Sequence, residues 1–148
     1  MKYSVDIALT TIHIGRHHRV VTLGLNGQDP AEEYLNELEE KDARAFGKIQ
    51  ARLKFVADLD RYENKVAFRS LGEGLFEAKI KTPFAVRVYV FYDRKTLGEE
   101  SMIIAAHGGG KSSQQKDIRT ARKRQEQYTT ALKDQDTTLT LIKAKNED

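Results

Sequence analysis

The chain has 148 residues, of which 39% are apolar and 32% are charged, with a formal net charge of +3. This length suits one domain with one hydrophobic core. The absence of cysteine excludes disulfides and thiolate-bound zinc. No apolar run approaches the roughly 20 residues of a membrane-spanning helix, and the N-terminus lacks the apolar stretch of a secretory signal. We therefore expect a cytoplasmic protein with no membrane partner.

The first half of the chain predicts two strands followed by two helices. Residues 3–14 and 19–25 are rich in β-branched and apolar residues, and the turn-like GRHH lies between them. Pro30, directly after the potential N-cap Asp29, marks the start of a helix with an apolar stripe. A second amphipathic helix is predicted from about 42 to 59.

In the second half the hydrophobic period changes to two, which predicts strands. The strand candidates are KVAFRSL, LFEAKIK, AVRVYVFYD and SMIIAAHG. A last helix is predicted from about Ser113 to Leu132, and the tail after Asp134 is expected to be loosely ordered. Because helices and strands come in runs rather than in strict alternation, the pattern predicts an α+β domain with a mostly antiparallel sheet.

The glycine-rich stretch HGGGKSS, which follows the last predicted strand, partly matches the phosphate-binding pattern G-x-x-x-x-G-K-[ST]. Gly110, Lys111 and Ser112 fit its last three positions, but Ala105 stands where the first glycine is required. A nucleotide-binding fold of that class also needs parallel strands joined by crossover helices. We therefore interpret the glycines as a hinge after His107.

Charge is unevenly distributed along the sequence. Seven acids and one base lie in residues 29–42, whereas six bases and one acid lie in residues 111–124. Two interpretations of the basic block are open, contact with an RNA backbone or a solvated helix face. Three of its bases share one face of the predicted last helix and are the candidates for RNA binding there: Lys116, Arg119 and Lys123.

Three consecutive phrases, FRSLGEGLFEAKI, VRVYVFYD and IIAAHGGGKSSQQKDIRTARKRQEQY, resemble the RelE/ParE toxin superfamily, and most closely its phage-derived, HigB-like branch. The resemblance implies a RelE-like α+β fold, with two N-terminal helices packed on a mostly antiparallel sheet of four to five strands and a C-terminal helix. It also implies a single domain, made of an extension at 1–18, a core at 19–133 and a tail at 134–148.

In function, the resemblance implies the toxin of a type II toxin–antitoxin system. Such toxins cleave messenger RNA, usually on the ribosome and without a metal or other cofactor, and a cognate antitoxin, here expected to be of the helix-turn-helix type, silences them. Two alternatives stay open. One is non-catalytic inhibition of DNA gyrase, as on the ParE side of the superfamily. The other is an inactive relative, because Gly109 replaces an aromatic residue of the branch and Gly110-Lys111 replaces a pair of lysines.

Metal-free RNA cleavage needs a base for the 2′-hydroxyl, a cation for the charge that develops on the phosphate, and an acid for the departing oxygen. Strand alternation predicts that Lys79, Arg87 and Tyr89 lie together on an open face of the sheet. His107 is the predicted acid or base, because an imidazole exchanges protons near neutral pH. Lys111 is a candidate phosphate contact.

Each of these residues also has a structural interpretation. Arg87 can pair with Glu77 across strands, and His107 can be a buried hydrogen-bonding residue. Arg69 either contacts RNA phosphate or anchors the turn at 71–74. Lys79, Tyr89 and Lys111 can serve packing or solvation alone. No metal site is predicted, because His13, His17 and His18 are poorly placed for a shared ion.

Overall fold

The computed structural model describes residues 5–60, 67–81 and 85–147. Over these residues the chain forms seven strands and three helices. In chain order they are β1 (Asp6–Ile14), β2 (His18–Leu25), α1 (Pro30–Lys41), α2 (Ala43–Ala57), β3 (Phe68–Gly72), β4 (Leu75–Ile80), β5 (Val86–Leu97), β6 (Glu100–Gly109), α3 (Gln114–Ala131) and β7 (Thr138–Ile142). Among the helices of this part of the chain, none has the length and apolar character needed to cross a bilayer.

All seven strands form one mixed sheet in the order β3-β4-β5-β6-β2-β1-β7. Strands β3, β4, β5 and β6 pair antiparallel with one another in sequence, and β1 pairs antiparallel with β2. In contrast, β2 runs parallel to β6, and β7 runs parallel to β1. The two N-terminal strands expected from β-branched composition are confirmed as β1 and β2. The predicted RelE-like layout is wrong, because two strands rather than two helices open the chain and the sheet has seven strands, not four to five.

The two helices that follow β2 begin at aspartate side chains. The Asp29 carboxylate accepts a hydrogen bond from the backbone N–H of Glu32 at 3.0 Å, and Pro30 occupies the first turn. Asp42 ends α1 and caps α2, accepting from the backbone N–H of Ala45 at 3.0 Å. These caps satisfy donors that a helix start leaves open. They fix the tight turn that lays α1 and α2 side by side.

The sheet is covered on both faces. Val86, Val88 and Val90 belong to a core shared with α1 and α2, while Tyr89 and Phe91 belong to a second core shared with α3. Strand alternation therefore assigned the two faces correctly. The expectation that the face of Lys79, Arg87 and Tyr89 is open to solvent is wrong, because α3 packs over this face.

The C-terminal residues, expected to be a loose tail, instead add a strand to the sheet. β7 pairs with β1 along residues 138–142. Beyond it, Glu147 accepts a hydrogen bond from Nη1 of Arg19 at 2.9 Å, and this guanidinium lowers the pKa of Glu147 to about 2. Arg19 is 5% exposed and also bonds Glu100, so the end of the chain is joined to the middle of the sheet.

Folding stability is expected to fall as the pH drops below about 6.5, in part because of His18. This side chain is 3% exposed, its Nδ1 lies 2.8 Å from Oγ of Ser101, and burial lowers its pKa below the ordinary value of 6.5. Between the two pKa values the unfolded chain binds the proton more readily, which costs folding stability as acid is added. Urea unfolding between pH 7.5 and 5 tests this. His18→Gln should show a shallower decline, and an identical decline in both proteins would contradict the assignment.

Candidate functional site

The strand register aligns polar side chains in two rows across β3 to β6. One row pairs Arg69 with Glu77, Glu77 with Tyr89, and Tyr89 with His107. The adjacent row pairs Lys79 with Arg87, and Arg87 with Gly109. Paired residues of antiparallel strands share a face. Five of the predicted site residues therefore lie in one region of the α3 face: Arg69, Lys79, Arg87, Tyr89 and His107.

A cleft of about 1190 Å³ is lined by residues of α2 together with Arg69, Glu77, Lys79 and Arg87 of these rows. Its charged lining consists of six cations and one acid, which creates a local positive field that favours a polyanion. Tyr89 and His107 do not belong to the lining. The charged lining residues are Lys48, Arg52, Arg69, Lys79, Lys81, Arg87 and Glu77.

The guanidinium of Arg87 is the most unusual group of this cleft. Arg87 is 4% exposed, and its Nε lies 3.7 Å from Oε1 of Glu77, which is an ion-pair distance rather than a hydrogen bond. Its Nε and Nη1 are buried without a hydrogen-bond partner among the described residues. An unsatisfied buried donor costs roughly 1–3 kcal/mol. A phosphate oxygen that reaches Nε or Nη1 would satisfy such a donor, and arginine is the cation whose donors best match phosphate.

Glu77 is the carboxylate that faces this guanidinium. It is 3% exposed, accepts a hydrogen bond from Nε2 of Gln114 at 3.1 Å, and lies 3.9 Å from Nη2 of Arg69. From the sequence alone, Glu77 is predicted only as a possible cross-strand partner of Arg87. Its spacing of two residues from Lys79 was the available signal, because alternation puts both on the polar face of β4.

Tyr89 lies between the cleft and α3. Its side chain is fully buried at 0% exposure, and its hydroxyl has no hydrogen-bond partner in the described part of the chain. Burial raises the pKa of the phenol well above its usual value of 10. Tyr89 therefore keeps its proton, and its hydroxyl can act as a donor but not as a base.

His107 connects β6 to the first turn of α3. Its Nε2 lies 2.9 Å from Oδ1 of Asp117, whose Oδ2 accepts a 2.6 Å hydrogen bond from Oγ of Ser113. The imidazole stacks on the ring of Tyr89, with centroids 6.5 Å apart. Its Nδ1 is buried and has no partner within the described ranges. The contact between Nε2 and Asp117 agrees with the interpretation of His107 as a buried hydrogen-bonding residue.

Two glycines after His107 are required by close packing. A Cβ at Gly108 would lie 2.4 Å from Cδ2 of Tyr34 on one face, and a Cβ at Gly109 would lie 2.0 Å from Oδ2 of Asp117 on the other. Both glycines belong to β6, so the predicted hinge is wrong. Lys111 follows in an exposed turn and does not line the cleft.

Replacing Gly109 by alanine is expected to lower the free energy of unfolding by roughly 1–3 kcal/mol, the usual cost of overpacking. The new methyl group would displace the Asp117 carboxylate that holds His107. Urea denaturation measures the change. Gly47→Ala is the matched control, because nothing lies within 4 Å of its Cβ position in α2, and it should stabilise by roughly 0.5–1 kcal/mol. Unchanged stability in Gly109→Ala would contradict the packing argument.

The basic block on α3 divides into anchors and exposed side chains. Arg122 donates to the carbonyls of Leu71 and Gly72, so it anchors the turn for which Arg69 was a candidate. Arg124 is 8% exposed and donates to the carbonyl of Leu23 at 2.6 Å. The three predicted RNA contacts are exposed but do not line the cleft of Arg87: Lys116, Arg119 and Lys123.

Comparison with known proteins gives one relative and no described activity. No protein-family model matches the chain, and no solved structure matches it. A Haemophilus influenzae protein, described as uncharacterized, is 33% identical over 91 residues, which cover 62% of this chain and 81% of that protein. The chain belongs to the family of this Haemophilus protein. The description of that relative names no activity, so the cleft is the feature of this chain that bears on function.

Within the described residues, no cluster of three or more His, Asp or Glu side chains is arranged to hold a metal ion. The chemistry available in the cleft comes from Arg87, Glu77 and the surrounding lysines and arginines. These groups can bind a phosphodiester, accept a proton from a hydroxyl and stabilise negative charge on phosphate.

Proposed function

We propose that the chain is an endoribonuclease that cleaves messenger RNA without a metal ion. The observation that supports this proposal is the buried guanidinium of Arg87, which lies beside Glu77 in a cleft lined by five further cations. Two of its nitrogens have no hydrogen-bond partner among the residues that the structure describes. A buried cation with free donors is a costly arrangement for a purely structural residue. It suits an oxyanion that arrives with the substrate.

In this proposal the reaction uses three residues of the cleft. Glu77 takes the proton of the 2′-hydroxyl, and the 2′-oxygen attacks the adjacent phosphorus. Arg87 donates to the non-bridging oxygens, which carry the additional negative charge in the transition state. The bond to the 5′-oxygen breaks, and this oxygen leaves with a proton from Lys79, the cation next to Arg87 in the register. The products are a 2′,3′-cyclic phosphate and a 5′-hydroxyl.

His107 and Tyr89 are not assigned to the reacting groups. Tyr89 is fully buried, and neither residue lines the cleft. The contact of His107 with Asp117 joins β6 to the start of α3, from which Gln114 reaches Glu77. His107 thus acts at a distance from the phosphate, by supporting the element that holds the proposed base.

The biological setting of the proposal comes from the sequence resemblance to RelE/ParE toxins. It makes the chain the toxin of a type II toxin–antitoxin system that acts in the cytoplasm on messenger RNA bound to the ribosome. A cognate antitoxin of the helix-turn-helix type keeps it inactive. The exposed bases of α3, which lie outside the cleft, are then available for ribosomal or messenger RNA.

A second candidate is non-catalytic inhibition of DNA gyrase. The positions of Tyr89 and His107 favour it, because neither of these two predicted catalytic residues lines the cleft. In that case the cationic cleft binds a partner and performs no chemistry. The two candidates differ in what happens to RNA and to DNA topology.

Two parallel assays distinguish these candidates. Purified protein is added to programmed ribosomes and to naked messenger RNA, with mapping of new 5′ ends, and separately to a gyrase supercoiling reaction. Cuts on ribosomes with unaffected supercoiling are the result expected for the nuclease. Intact RNA together with inhibited supercoiling would replace it with the second candidate.

A further inference from the structure

The surface of α2 that lines the cleft carries an exposed aromatic ring. Phe55 is 51% exposed, more than the other large apolar side chains that are exposed in the described residues, Ile14, Leu132 and Ile142. The opposite side of α2 supplies Ile49, Leu53 and Val56 to the core. Phe55 is therefore not needed to hold the helix on the sheet.

The neighbours of Phe55 form a regular stripe along the helix. Lys48, Ala51, Arg52 and Phe55 have spacings of three and four residues, which places them on one face, and all four line the cleft. The small Ala51 one turn before Phe55 leaves space beside the ring. The stripe thus combines two cationic side chains with an accessible aromatic surface.

We propose that Phe55 is a stacking platform for a nucleobase, and that the cleft takes single-stranded RNA. Single-strand binding sites combine a cationic groove, which follows the backbone, with aromatic side chains on which bases stack. This inference rests on the proposed function, because it specifies the substrate of the same cleft.

The structure also indicates which form of RNA is selected. A duplex keeps its bases stacked on one another and offers only backbone to the cleft, whereas an unpaired base is free to lie on Phe55. Arg52 lies about one turn and Lys48 about two turns before Phe55 on the same face of α2, so both cations are available to phosphates on one side of that base. Binding should therefore depend both on the ring and on salt concentration.

Fluorescence anisotropy with an uncleavable probe tests the platform separately from cleavage. The probe is a 2′-O-methyl RNA 10-mer that carries one 2-aminopurine, whose emission is quenched by stacking. Phe55→Ala should weaken binding about 5- to 150-fold and remove the quenching. Phe55→Trp should retain both. Ile142→Ala, which removes an exposed apolar side chain outside the cleft, is the matched control and should bind as the wild type does.

Each outcome of this experiment has a defined meaning. Equal binding by wild type and Phe55→Ala, or equal binding of duplex and single strand, overturns the platform even if the protein cleaves RNA. Phe55-dependent binding and quenching support it even if no RNA is cut, and in that case only the proposed catalysis fails. A phosphate contact at Lys48 would be further supported if Lys48→Ala reduces the slope of log affinity against log salt concentration by about one.

Discussion

Arg87→Ala is expected to reduce the single-turnover rate of messenger RNA cleavage about 100- to 1,000-fold, the usual effect of removing one preorganised oxyanion donor. The guanidinium is buried, and two of its nitrogens have no hydrogen-bond partner in the described part of the chain, so its donors are held ready for the charge that develops on the phosphate. Arg87→Lys should recover only part of the rate, because an ammonium group lacks the planar fork. Rates are measured with end-labelled messenger RNA on programmed ribosomes.

Controls separate loss of chemistry from loss of folding in this variant. Removing Arg87 leaves Glu77 buried without its close ion-pair partner, and breaking such a pair destabilises proteins. The double variant Arg87→Ala/Glu77→Gln removes both charges and should be folded and inactive. Lys81→Ala removes an exposed cation from the same cleft and should keep most of the rate. A folded Arg87→Ala protein with the wild-type rate would exclude this residue from the reaction.

Glu77→Gln is expected to lower the cleavage rate about 100- to 10,000-fold, the range typical of a general base. Glutamine keeps the size of the side chain and an oxygen for the hydrogen bond from Gln114. Because the substitution removes the negative charge from a cleft of six cations, RNA affinity should be unchanged or stronger. The proposed base therefore predicts that binding and cleavage separate in this variant.

Binding and cleavage are measured on the same preparation for this comparison, by anisotropy with the uncleavable probe and by single-turnover kinetics. A purely structural role of Glu77 would make both fall together as the site loses its geometry. Retained cleavage in a folded Glu77→Gln protein would assign the proton transfer to another group. Glu33→Gln, on the exposed side of α1, is a matched control for the change in net charge.

The secondary structure of the chain follows well from its sequence, but the arrangement of the strands does not. Asp29 and Pro30 mark the start of α1, and the alternation in AVRVYVFYD gives the two faces of β5. Alternation carries no information about which distant strand is the neighbour. The parallel pairs β2–β6 and β1–β7 join segments far apart in the chain, and the short TLTLI of β7 alternates apolar with threonine in a polar tail.

The part of the candidate site that depends only on the pairing of neighbouring strands could be predicted from the sequence. Arg69, Lys79 and Arg87 come together because antiparallel neighbours bring alternating polar positions side by side. The covering of Tyr89 by α3 depends on tertiary packing, which a local pattern does not contain. Gly109 is explained only by the Asp117 carboxylate above it, and the sequence offers no sign of that contact.

The chemical identity of the new RNA ends tests metal-free cleavage in the Arg87–Glu77 cleft. After incubation with programmed ribosomes, the cut fragments are analysed for their 3′ and 5′ termini, with Arg87→Ala in parallel. We expect a 2′,3′-cyclic phosphate upstream and a 5′-hydroxyl downstream, both absent with Arg87→Ala. Intact RNA in all reactions, or a 5′-phosphate, which is the product of attack by water, would contradict this mechanism.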